Sequence, residues 1–162
     1  MAPVETVFHP VYGISQPTEN TCWLTALTVM VNWRKGGSLD PEAVAQAAGY
    51  SIHQCDDGSW DPIYRVAEHW DIHPFLYTPV DVAAWADVLR EHGPLWIVVT
   101  GSPTHTVILH GLEGDGTFDH TTATVTDSWD GVYTESFADL MNDFGSQSGQ
   151  IALESGTQIM CF

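Results

Sequence analysis

The sequence predicts an α+β fold in which an N-terminal helical part packs against a C-terminal antiparallel β-sheet. Two observations carry this prediction. Apolar residues recur with helical spacing in segments up to His92, and from Leu95 the chain changes character to segments rich in β-branched residues divided by turn signals. A third observation sets the scale. A chain of 162 residues, 44% hydrophobic and without repeats or low-complexity tracts, suits a single domain over residues 1–162 that buries its core without metals or disulfides.

Met1 to Thr21 contains Pro3, Pro10 and Pro17 with little periodicity, which reads as an extended lead-in. From Cys22 to Arg34 the spacing of Trp23, Leu24, Leu27 and Val31 predicts a buried helix, ended by Gly36-Gly37. Asp40-Pro41 supplies an N-cap and a proline at the first helical position, opening a short helix through Ala48 that stops at Gly49. A third helix is expected after Asp61-Pro62, running to Trp70, and a fourth from Pro79 or Val80 to His92, closed by Gly93-Pro94. Leu95 to Thr100 and Thr104 to Leu112 read as strands across a turn at Gly101-Ser102-Pro103. Glu113-Gly114-Asp115-Gly116 is a hairpin signal leading into a third strand that ends near Thr126. A short strand at Val132-Tyr133, a helix from Ser136 to Asp143 and a last strand within Gln150 to Phe162 complete the expectation.

Charge narrows the function classes. The 21 acidic residues outnumber Lys35, Arg34, Arg65 and Arg90 and give a formal charge of −17. Such a field repels phosphates, so no nucleic-acid partner is expected, and it favours a basic protein or peptide, or simply a solvated acidic surface. Met1 to Gln16 lacks a basic start followed by an apolar run, and no segment approaches the ~20 apolar residues that cross a bilayer, so no membrane insertion is expected. The chain reads as cytoplasmic when synthesised, or as a toxin domain exported by a route without a cleavable signal. Cys22, Cys55 and Cys161 cannot all pair within one chain, which leaves at least one thiol for chemistry.

A thiol is a nucleophile only as a thiolate, and its pKa falls at a helix N-terminus and beside an imidazolium. Cys22 opens the first predicted helix. His105 opens a strand from whose edge it can reach that helix end, and Asp127, across the hairpin, can orient the imidazole. If the Glu113–Gly116 turn centres the hairpin, His105 is opposite residue 124 or 125. His110 is the rival base, but five residues along a regular strand it faces the other side and reads as structural. Asp130 and Asp119 are rival carboxylates. His53 with Cys55, and His69 with His73, lack the spacing of a zinc motif, so neither metal nor cofactor is expected. Trp60, Trp70 and Trp85 read as core or groove wall.

These residues carry a resemblance. Gln16-Pro17-Thr18-Glu19-Asn20-Thr21-Cys22-Trp23 resembles the glutamine, nucleophilic cysteine and following tryptophan of papain-like cysteine peptidases. Thr104-His105-Thr106-Val107-Ile108-Leu109-His110-Gly111 resembles their catalytic-histidine strand, and Gly114-Asp115-Gly116 the turn after it. Asp127-Ser128-Trp129 resembles their Asn-Ser-Trp with Asp in place of Asn. The resemblance implies a papain-like fold with the nucleophile at the start of its central helix, Gln16 as an oxyanion-hole donor, and Trp23 and Trp129 as supports of the site. Asn20-Thr21 departs from papain's small residues, and the Cys-to-His spacing of 83 residues is well short of the ~130 of papain and the cathepsins. The chain is more similar to compact bacterial members, among them bacteriocin-leader-processing peptidase domains and effector proteases delivered into other cells.

The expected function is therefore a cysteine endopeptidase acting through a Cys-His-Asp triad on a protein or peptide substrate. An effector or toxin protease with a cognate inhibitor or immunity protein is the leading version. The alternatives are leader-peptide processing, glutamine deamidation or acyl transfer by the same triad, and an inactive peptide-binding domain.

Overall fold

A computed structural model describes residues 4–56, 60–99, 105–144 and 158–162. Helix α1 spans Cys22–Lys35, and Trp23 through Val31 are all buried in it. It ends where expected, because Gly36 takes the left-handed conformation (φ 67°) and returns its N–H to the Asn32 carbonyl. Asp40 caps α2 (Pro41–Ala47) by accepting from the Ala43 N–H. Helix α3, Ile52–Cys55, is a single turn that the sequence reading missed, although Ser51 and Gln54 build a capping box for it. Helix α4 runs over Trp60–His69. Helix α5, Val82–His92, begins two residues later than expected because Asp81 is its N-cap, accepting from the Ala84 N–H.

Among the described residues seven strands form one sheet in which every pairing is antiparallel: β1 (Val4–Phe8), β2 (His73–Pro74), β3 (Leu95–Val99), β4 (His105–Gly114), β5 (Thr121–Asp127), β6 (Gly131–Ser136) and β7 (Ile159–Cys161). The order is β2-β7-β3-β4-β5-β6, and β1 pairs with the far end of β4, Val7 opposite Leu112 and Phe8 opposite Gly111. The lead-in is therefore partly a strand. β4 continues through Gly114, so the hairpin turns over residues 115–120 rather than about Glu113–Gly116, and Thr126 pairs with Ile108. β6 is longer than the two residues expected. Helix α6 covers 137–144. The expected Gly101-Ser102-Pro103 turn, and most of the segment from Gln150 that was expected to hold the last strand, lie outside the described residues.

Side chains alternate across the strands, so the sheet serves two cores. On one face Trp96, Val98, Ile108 and Met160 pack with Leu24, Leu27 and Met30 of α1, Val44 of α2 and Val66 of α4. On the other, Ile97, Val107, Leu109 and Val125 pack with Trp85 and Leu89 of α5 and with Phe137, Leu140 and Phe144. The N-terminal helices thus do not all gather on one side: α5 crosses to the opposite face and joins α6, Trp85 meeting Phe144 edge-on at 5.3 Å. Among the described residues no helix is long and apolar enough to cross a membrane.

Candidate active site

Cys22 is the first residue of α1 and is half-buried where the 9–21 segment turns into the helix. Thr21 occupies the N-cap position, but its side chain makes no capping bond, leaving the first-turn N–H groups and the positive helix end uncovered beside the thiol. Burial pushes the Cys22 thiol pKa up. The hydrogen bond and charge of His105, with the backbone and hydroxyl of Thr106, outweigh it, and the net value lies below the ordinary one. Thr106, next to the histidine on β4, is a site residue the sequence reading did not single out. It also lines a narrow cleft beside Cys22 together with Ile14, Thr25, Thr126 and Ser128.

His105 and Asp127 come from adjacent strands, at the end of the sheet where β4 begins and β5 stops. His105 Nε2 is 2.8 Å from Asp127 Oδ1, and both side chains are less than a tenth exposed. The carboxylate also accepts from the Trp129 N–H at 2.8 Å. Burial works against its ionised form, yet the His105 and Trp129 bonds hold its carboxyl below the usual carboxylate range. Burial would likewise lower the His105 pKa, but Asp127 and Cys22 together raise it to about 9. With Nε2 committed to the carboxylate, Nδ1 is the nitrogen left to face the Cys22 thiol and to move a proton. Trp129 lies flat on the imidazole, centroids 4.4 Å apart and planes within 11°. A cationic ring gains from that stacking.

Gln16 is tied to both sides of the site. Its Oε1 accepts from the Ser128 hydroxyl, and its amide donates to the Thr18 carbonyl at 2.8 Å and the Glu19 carbonyl at 2.9 Å. Ser128 is thus the second site residue that sequence reading passed over, although it stands between Asp127 and Trp129. Trp23 is buried and donates to the Cys55 carbonyl at 3.1 Å, while Trp96 donates to the Trp23 carbonyl at 3.2 Å, fixing the first turn of α1 against helix and sheet alike.

His110 is not positioned by strand parity, because β4 is irregular between Leu109 and Gly111. Its Nδ1 bonds the His9 carbonyl and its Nε2 the Thr126 hydroxyl, so both nitrogens are occupied, and burial lowers its pKa. A neutral structural histidine is the consequence. His73 pairs with Asp71 on the surface, and Trp70 donates to the Val44 carbonyl. No group of three or more metal-ligating side chains gathers among the described residues. Trp85 is core, and the Trp60 side chain lies outside the described residues.

The model of the papain-like cysteine protease AvrRpt2 family matches residues 9–146. No curated protein matches the sequence. Among solved structures, the chain is similar to a double glycine motif protease from an AMS/PCAT transporter, solved in complex with its leader peptide. That similarity has a TM-score of 0.60 at 19% identity and covers 99% of this chain and 95% of the other. The structural likeness speaks to the fold, while the family match spans most of the sequence and reaches from the 16–23 segment past Trp129. The chain accordingly belongs to the papain-like cysteine protease family of AvrRpt2 and is a cysteine peptidase.

Proposed function

We propose that Cys22, His105 and Asp127 are the catalytic triad of an endopeptidase that cuts an extended segment of a specific protein. The observation that carries this reading is the buried 2.8 Å bond between His105 and Asp127, made by a histidine that in turn depresses the pKa of the thiol at the start of α1. In this mechanism the Cys22 thiolate attacks the scissile carbonyl carbon. The carbonyl oxygen takes up the negative charge and is met by the Cys22 N–H and the Gln16 amide, a donor of this kind being worth ~3 kcal/mol. To donate there, Gln16 must release the Thr18 or Glu19 carbonyl. His105 Nδ1 then protonates the leaving amine as the C–N bond breaks, leaving a thioester. A water that gives its proton back to Nδ1 attacks the thioester and releases Cys22. Asp127 keeps the ring in the tautomer that can do this, and Trp129 keeps solvent off their bond.

Within this reading we favour an effector exported into another cell and restrained by a cognate basic inhibitor, which the charge of −17 would attract. Leader-peptide processing is the second reading, favoured by the fold shared with the leader-peptide-bound protease. Expression of wild type and Cys22→Ala, followed by mass spectrometry of new protein N-termini, tests the proposal. Cleavage products present with wild type and lost in the variant are expected. Cleavage that persists in Cys22→Ala refutes the triad, and a glutamine-to-glutamate mass change without chain cleavage would identify a deamidase instead. Growth arrest relieved by a co-expressed inhibitor separates the effector from an enzyme that trims only double-glycine leaders.

A further inference from the structure

We propose that Asp56 is a positioning residue of the peptidase site, whose carboxylate fixes the segment 16–21 and thereby the Cys22 N–H that receives the oxyanion. The inference rests on the triad reading above. Asp56 ends α3 and is remote in sequence from every catalytic candidate. Its Oδ1 nevertheless accepts from the Thr18 hydroxyl at 2.6 Å and from the Asn20 N–H at 2.9 Å, and its carbonyl accepts from Asn20 Nδ2 at 3.1 Å. The two bonds to Oδ1 hold the carboxyl below its usual range. One residue earlier, the Cys55 carbonyl accepts from the Trp23 indole. The end of α3 therefore grips the chain on both sides of Cys22.

The direction of the protons extends the argument to the nucleophile. Because the Thr18 hydroxyl gives its proton to Asp56, the Thr21 hydroxyl is the donor on the Thr18 side, its one proton shared between the Thr18 hydroxyl oxygen at 2.9 Å and the Thr18 carbonyl at 3.2 Å, while its oxygen accepts from the Thr18 N–H at 3.2 Å. Thr21 is fully buried, directly precedes Cys22, and spends its side chain on Thr18 instead of capping α1. A relay from Asp56 through Thr18 to Thr21 thus sets the backbone that leads into the Cys22 N–H, while Gln16 is secured from the sheet side by Ser128. Two independent tethers, one from each half of the fold, meet on a segment of six residues.

Two probes of the full chain separate positioning from general structure. p-Nitrophenyl acetate acylates Cys22 through a tetrahedral oxyanion: the thiolate bonds the ester carbonyl carbon, then p-nitrophenolate leaves and a thioacetate remains. Iodoacetamide alkylates the same thiolate by direct displacement of iodide and forms no oxyanion. In Asp56→Ala, acylation is expected to slow about tenfold, less than the 10²–10³ for losing a donor outright, while alkylation stays within about twofold. Asp56→Asn retains Oδ1, on which both bonds converge, and should acylate near the wild-type rate. Thr18→Val removes the hydroxyl from the other side and should reproduce the selective loss even if Asp56→Ala does not fold. Equal rates in all variants, or acylation and alkylation falling together, or Asp56→Asn as slow as Asp56→Ala, each overturn the proposal. Wild-type protein that is neither acylated nor rapidly alkylated at Cys22 refutes the triad itself, and the role of Asp56 with it.

Discussion

Replacing Asp127 by alanine isolates what the carboxylate does for His105. Burial alone would lower the His105 pKa, but its bonds to Asp127 and Cys22 raise it from 6.5 to about 9. At 1.36 kcal/mol per pH unit that is a preference for the imidazolium of about 3 kcal/mol, which solvent screening reduces to about 2. Asp127 and the Cys22 thiolate share it, so removing the carboxylate should lower the His105 pKa by about one pH unit, the low end of what a neighbouring opposite charge does. The sign is fixed by the raised value: the imidazolium's contribution to stability is complete below pH 6.5 and is lost as pH rises through about 9. The assay is the rate of Cys22 labelling by iodoacetamide across pH, with Cys161 as an internal reference because burial lifts its pKa to about 11. Wild type should show an acid-side plateau from the ion pair and a second rise near pH 9, when the ring becomes neutral and frees the thiolate. In Asp127→Ala the second rise should move down by about one pH unit and the acid plateau should weaken. A second rise that stays near pH 9 in the variant would show that another group charges His105, and the orienting role of Asp127 would have to be abandoned.

Other perturbations probe the site's cover and its scaffold. Trp129→Ala should leave the fold intact, since the indole is 53% exposed. Removing the stacked ring should cost the imidazolium about 0.5–1 kcal/mol, read as a two- to five-fold slower cleavage at neutral pH and a His105 titration shifted to lower pH; an unchanged titration would sink the stacking argument. Leu27 is fully buried between α1 and the sheet, so Leu27→Ala should lose about 2–5 kcal/mol in urea unfolding. A loss below about 1 kcal/mol would mean that the α1 face can collapse around the gap.

Much of the fold was legible because its signals are local. Gly36 and the Asp40-Pro41 pair mark the end of α1 and the start of α2 through capping chemistry that operates within four residues, and the β-branched runs at 95–99 and 105–112 announce themselves. β1 was not legible, since its partner lies more than a hundred residues away and Pro3 and Pro10 flank it. The length of β4 follows in part from the same pairing: β1 and β5 both pair with it as far as Gly114, so Gly114 belongs to the strand and only Gly116 to the turn. Periodicity also says that α5 buries a face but not against which side of a sheet. At the site, Gln16, Cys22, His105 and Asp127 were found as an ordered series of residue types. Asp56 carried no signal, because a surface aspartate after a one-turn helix looks like any other acidic residue in a chain with 21 of them.

The place of β7 bears on how the first turn of α1 is held. Residues 159–161 form no outer strand; they slot between β2 and β3, Met160 opposite both Trp96 and Pro74. Trp96 is the residue whose indole braces the first turn of α1. β7 is the sole sheet partner of β2 among the described strands, and without it β3 would be paired on the β4 side alone. Removing residues 159–161 should therefore bare one edge of the strand that carries Trp96 and loosen the brace on the first turn of α1.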